Sequence, residues 1–167
     1  SYKITYLTNN QGKVVAEQDP QILLVSEGLV KGSSVKKLAG EATYPYEEFY
    51  INWNSTPAEY IKVAYYSKDE SSKTSDPSFI GKYDYKLTDE TKTILGYTCH
   101  KAVTIVNSNT IELWYTKALP YKASPVSMGS ELGVVLEYVR NGNTAITATE
   151  IKKVRQVISL PQAELTD

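Results

Sequence analysis

The sequence has little of what catalysis commonly draws on. It carries one cysteine, one histidine and one methionine in 167 residues, with two tryptophans and two phenylalanines. A lone Cys99 excludes a disulfide framework and a thiolate zinc site. A lone His100 would have to be the base of any Ser-His-Asp site. It follows Cys99 directly, and successive side chains of a strand point to opposite faces, so the two make no nucleophile–base pair. His100 therefore reads as a surface or rim residue and Cys99 as a small core residue. No apolar run approaches the roughly 20 residues of a membrane-spanning helix. The formal net charge of −1 offers no basic field to nucleic acid or to an anionic membrane. Gly28 and Gly32 lack the Lys-Ser/Thr and following helix of a phosphate-binding loop. No repeat of fixed period is found. No metal site and no cofactor are expected.

Tyrosine is plentiful instead, fourteen in all. It suits half-buried sheet faces, with a ring to pack and a hydroxyl that reaches water, and it also suits sugar or peptide recognition. Its scatter along the chain favours the first role. Charged residues at 22% and hydrophobic ones at 41% are ordinary globular values, and the length fits one domain over residues 1–160 with a polar tail over 161–167.

Alternation of apolar and polar residues predicts strands over Tyr2–Leu7 and Glu47–Trp53, Lys13–Glu17 returns as a strand after a turn, Gln21–Ser26 with its ILLV run reads as a buried strand, and Tyr60–Tyr66 reads as a strand. Val35–Leu38 reads as a further short strand, and Gly28 and Gly32 as breaks. Thr56-Pro57-Ala58-Glu59 has the pattern of a helix start, but the β-branched and aromatic run after it favours a strand. Ser67–Ser78 is polar and reads as a mobile connection. From Tyr83 onward the signal is strongest. Tyr83–Leu87 is a strand, Thr88–Thr91 a turn, and Thr93–Val106 one long strand with a bulge at Gly96. On that strand Tyr97, Cys99, Val103 and Ile105 share one face. Asn107–Asn109 turns the chain into Ile111–Tyr115, Lys117–Ser130 is a rim loop, and Leu132–Val139 is a strand covered on both faces. Asn141-Gly142 predicts a type I′ hairpin turn before a last strand ending near Ile158. The fold class is all-β: a single antiparallel curved sheet, half-barrel or bowl-like, of eight to ten strands with little helix.

Adjacent acids at Glu47-Glu48, Asp69-Glu70 and Asp89-Glu90 read as solvated turn and edge charges, since a glycosidase pair cannot be recognised from sequence spacing. Asn54-Ser55-Thr56 matches a glycosylation acceptor, a triplet that chance often supplies. Inward aromatics on a curved sheet can form a ligand surface, which makes Trp53, Trp114, Tyr115 and Tyr97 the candidate binding residues.

Thr88–Ala102, with Gly96-Tyr97, Cys99, Lys101 and Ala102, followed by Trp114-Tyr115-Thr116 and Leu119-Pro120, resembles the GLPGLI family of bacterial envelope proteins. Ser130–Val135 departs from that family's namesake motif. The later part, ELWYT…LGVVLEYVRNGN, is similar to the N-terminal bowl-like domain of bacterial peptide:N-glycosidase F-type amidases. Neither resemblance supplies catalytic residues. The second implies a non-catalytic accessory or binding domain of a secreted glycoprotein-processing enzyme, with a catalytic domain in the same full-length protein and glycoprotein or glycan as partner. The first implies a stand-alone envelope protein holding an apolar ligand on a concave sheet. Both imply a periplasmic, cell-surface or secreted protein, and Ser1 in first place fits a chain whose leader has been removed.

Overall fold

The computed structural model describes residues 1–161. Twelve strands form one antiparallel sheet: β1 (Tyr2–Asn10), β2 (Lys13–Val14), β3 (Gln21–Ser26), β4 (Leu29–Ser34), β5 (Tyr46–Asn52), β6 (Glu59–Tyr65), β7 (Ser71–Asp76), β8 (Lys86–Ile94), β9 (Tyr97–Val106), β10 (Asn109–Thr116), β11 (Val134–Arg140) and β12 (Thr144–Lys153). Among the described residues, helix is confined to α1 (Val35–Leu38) and a single 3-10 turn at Ser130–Leu132. The strand order is β7-β6-β5-β4-β3-β1-β12-β11-β10-β9-β8, with β2 attached to β1. The chain starts at the centre, meanders out to β7, crosses to the far edge at β8, and meanders back until β12 pairs with β1.

That crossing forces the curvature. Laid flat, eleven strands at about 4.8 Å spacing would put β7 and β8 about 48 Å apart. The ten steps from Asp76 to Lys86 reach at most about 36 Å when fully extended. The sheet therefore bends, and the crossing segment lies over its inner face.

The inner face is filled by the protein's own side chains. Ile4, Tyr6, Leu23, Val25, Val30 and Ile51 from one wing meet Cys99, Trp114, Val134 and Leu136 from the other, with Phe79 of the crossing segment and Leu119 and Ala123 of the 117–133 excursion laid on top. Tyr6 is fully buried, and its hydroxyl donates to the Val135 carbonyl at 2.7 Å, which ties β1 to β11 across β12. Two further clusters cover the outer face. Ile22, Leu24, Tyr50, Ile61 and Val63 pack against Ile158 of the segment after β12. Ala102, Ile111, Leu113, Tyr115 and Val135 lie on the other wing, beside Met128 and Leu132.

Several sequence expectations need correction. Val35–Leu38 is helix, because Ser34 accepts from the Lys37 amide at 3.2 Å and Asp19 from the Lys36 amide at 2.9 Å, holding the helix start from both sides. Ser71–Asp76 is not a mobile connection but edge strand β7, paired along its length with β6. β4 runs through Gly32 without a break. Thr88–Thr91 lies inside β8, where the pairing with β9 shifts between Leu87 and Thr91. Gly96 is no bulge: Leu95-Gly96 is a tight turn with φ of 51° and 84°, so residues 93–106 are two strands. β2 is only two residues long and β12 ends at Lys153. Ile105, expected on the face of Cys99, is 71% exposed because it lies beyond the end of the β8 pairing. The polar tail falls, from residue 162, outside the described residues.

The Asn141-Gly142 turn is as expected, with φ of 52° and 68°. Asn141 also uses its amide, accepting from the Thr110 amide and donating to Asn109, both at 2.9 Å. A Cβ on Gly142 would meet nothing within 4 Å, so the cost of substitution is conformational alone. Gly142→Val should lower unfolding free energy by about 1–2 kcal/mol, readable as a lower urea midpoint at unchanged slope.

Candidate functional site

The four candidate aromatics do not converge. Trp114 lies on the inner face of β10 at 8% exposure, with the Lys92 ammonium 4.3 Å and that of Lys101 5.9 Å from its ring centre. Those lysines are themselves paired, Lys101 with Glu90 at 2.9 Å and Glu112 at 3.3 Å, and Lys92 with Glu137. Tyr115, the next residue, points to the outer face and is buried there, 6.1 Å from the His100 ring. Tyr97 is half-buried against the margin of the inner core. Only Trp53, of the four, lines a cleft that also carries charged side chains.

That cleft holds about 690 Å³ and is open to solvent along one rim of the bowl. Three separate segments build it: the β3–β4 turn (Ser26–Gly28), Trp53 just after β5, and both ends of the 117–133 excursion. Trp53 is fixed on three sides. Its indole N–H donates to the Lys122 carbonyl at 2.9 Å, its ring centre is 5.6 Å from that of Phe79, and the Lys122 ammonium is 5.5 Å from it. Glu131 accepts from the Gly81 amide at 3.0 Å, which joins the excursion to the crossing segment. Leu119, Pro120, Tyr121 and Leu132 supply apolar wall, and Glu27, Lys117, Lys122 and Glu131 supply charge. The sequence reading missed these four charged residues. Glu27 lies far along the chain from the other three, all four are in turn and loop segments without periodicity, and only the bend of the sheet assembles them.

Cys99 and His100 face opposite sides of β9, as the strand period requires. His100 is exposed. Cys99 is fully buried, and burial pushes its thiol up to about 11, with Lys92 opposing the shift and Glu137 adding to it. A raised folded-state value contributes stability at pH below the ordinary 9.0, and this contribution is lost as pH climbs towards about 11. We expect thiol reagents to label Cys99 only after denaturant is added, and Cys99→Ser to cost about 1–3 kcal/mol through its desolvated hydroxyl. Rapid labelling of the folded protein would place the thiol outside the core. The acidic pairs are spread over the fold: Glu48 is buried against Ser33 and lies 3.8 Å from Lys31, Asp69-Glu70 turns the chain between β6 and β7, and Glu90 holds Lys101. Among the described residues no cluster of His, Cys, Asp and Glu is arranged to hold a metal ion. No helix among them is long and apolar enough to cross a membrane.

A bent, open antiparallel sheet whose two edges are joined by a crossing loop defines an all-β bowl-like domain. The chain belongs to the family described as N-glycanase peptide, N-terminal domain (PNGase F-II type), which matches residues 4–166. Two solved structures of PNGF-II, in space groups C2 and P21, are similar to it with TM-scores of 0.91 and 0.94, each at 36% identity over 99% of this chain. The chain spans only 30% and 31% of the PNGF-II chains. A search of curated proteins finds no match.

Proposed function

We propose that this chain is a non-catalytic accessory domain of a secreted bacterial glycoprotein-processing enzyme of the peptide:N-glycosidase F type. It acts beside a catalytic domain of the same polypeptide and binds glycoprotein or glycan without cutting it. The observation that carries the reading is the likeness of nearly the whole chain to less than a third of PNGF-II. Two features of the site support it. The cleft is lined by Trp53 and by charged groups from turn and loop segments, with neither Cys99 nor His100 among its lining residues. The sole thiol is buried with a raised pKa, the opposite of an activated nucleophile. Trp53 is the proposed ligand contact, while Trp114, Tyr97 and Tyr115 would serve through packing.

The test is a titration of the protein, followed by tryptophan fluorescence, with an N-glycopeptide, the free N-glycan and a fatty acid. Glycopeptide or glycan should perturb the signal. Saturable binding of the fatty acid alone would instead favour a stand-alone carrier of the GLPGLI kind. Against that carrier stands the inner face, where Phe79, Leu119 and Ala123 occupy the space an apolar ligand would need.

A further inference from the structure

We propose that the rim cleft beside Trp53 is a carbohydrate subsite that selects neutral oligosaccharides over charged ones. The inference deepens the reading of this domain as a binding module and rests on it. The charge of the lining is balanced, Glu27 and Glu131 against Lys117 and Lys122. A cationic or anionic ligand therefore gains no net Coulomb attraction on entering, and brings a charge that two of the four groups repel. A polyhydroxylated neutral ligand does better, because each hydroxyl both donates and accepts. Carboxylates can take its hydrogens and ammonium groups can meet its oxygens, in charge-assisted bonds.

Two of the four charged groups are held before any ligand arrives. Glu131 is anchored by the Gly81 amide at 3.0 Å, and Lys122 by its carbonyl to the Trp53 indole at 2.9 Å and by its ammonium 5.5 Å from the ring. Such pre-placement lowers the ordering cost of binding. Between them, Leu119, Pro120 and Tyr121 give apolar surface for the C–H faces of sugar rings. A volume of about 690 Å³ lies within the ordinary range of ligand sites and leaves room for more than one ring. The open rim lets a glycan leave the site while still attached to a protein.

The experiment compares a neutral oligomannose N-glycan, a sialylated N-glycan and dodecanoate by calorimetry, on this protein and on a Glu27→Ala/Lys117→Ala variant. Both substituted side chains are exposed, so the variant should keep the thermal midpoint of the parent. Because the chain has two tryptophans, the indole N–H signals in an NMR spectrum locate the ligand once Trp114→Phe has assigned them. The neutral glycan should bind, shift the Trp53 signal, and lose at least tenfold in affinity in the double variant. The sialylated glycan should bind at least tenfold more weakly than the neutral one. Glycan binding that leaves the Trp53 signal and the variant's affinity unchanged would overturn the site while leaving the binding role intact. Equal or stronger binding of the sialylated glycan would overturn the selectivity. Binding of dodecanoate alone, or of none of the three, would overturn the carbohydrate assignment. Glycan release during the titration would instead count against the non-catalytic reading.

Discussion

Gly32→Ala should lower the stability of this domain by about 3 kcal/mol, a fall in thermal midpoint of roughly 6–12 °C for a chain of this size. The glycine lies within β4 and its backbone is not in the left-handed region, so conformational freedom is not the reason for it. The reason is Phe49. A Cβ on residue 32 would sit 2.0 Å from one ring carbon of Phe49 and 2.3 Å from the next. Phe49 is paired opposite Gly32 on β5 and stacks on Tyr60 of β6, ring centres 5.1 Å apart and planes 15° from parallel. An added methyl must push that ring off its seat and break the stack, and Tyr60 in turn touches Phe79 of the crossing segment at 5.9 Å. The cause can be isolated by a double-mutant cycle. Phe49→Ala should itself destabilise, but Gly32→Ala added to it should then cost little, whereas additive losses would mean that the clash is not the cause.

Gly133→Ala should cost about 2–4 kcal/mol, from overpacking together with backbone strain. Its φ of 147° suits no residue with a side chain, and its Cβ would lie 2.6 Å from the Thr116 carbonyl oxygen. Backbone cannot swing aside as a side chain can. The carbonyl of Gly133 also accepts from the Ala123 amide at 3.1 Å, a bond that folds the excursion back on itself. Gly133 lines the rim cleft, so the substitution should reduce ligand binding as well as stability. In contrast, Gly142→Val should affect stability alone, because that turn lies at the opposite end of β11 from Gly133 and the cleft. Loss of binding in both variants would show that the assay reports unfolding.

Strands with a clean two-residue period were legible in the sequence, and so were turns with amides or glycines. β1, β5, β6 and β10 fall where alternation puts them, β3 falls where its continuous apolar run puts it, and both Asn107–Asn109 and Asn141-Gly142 turn the chain. β7 was not legible because an exposed edge strand of serine, lysine and threonine has no apolar face to mark it. The Leu95-Gly96 turn was hidden by its leucine, since positive φ at that position usually calls for asparagine, aspartate or glycine. Gly32 looked like a breaker and is instead the seat of a ring paired on the neighbouring strand. As for the site, Trp53 was found as a strand-end aromatic, but its neighbours Glu27, Lys117, Lys122 and Glu131 were not. No local pattern joins a β3–β4 turn to a loop about a hundred residues later; the bend of the sheet brings them to one rim.

On the proposed reading, this domain accompanies the chemistry of an N-glycanase without performing it. The most direct measurement is an amidase assay of the purified chain on a fluorescent N-glycopeptide, followed by chromatography over a day at a protein concentration near that of the substrate. No released glycan and no conversion of the glycosylated asparagine to aspartate are expected, with PNGF-II as the positive control. Glycan release that follows this protein through purification and is abolished by one carboxylate substitution, at Glu27 or Glu131, would contradict that reading.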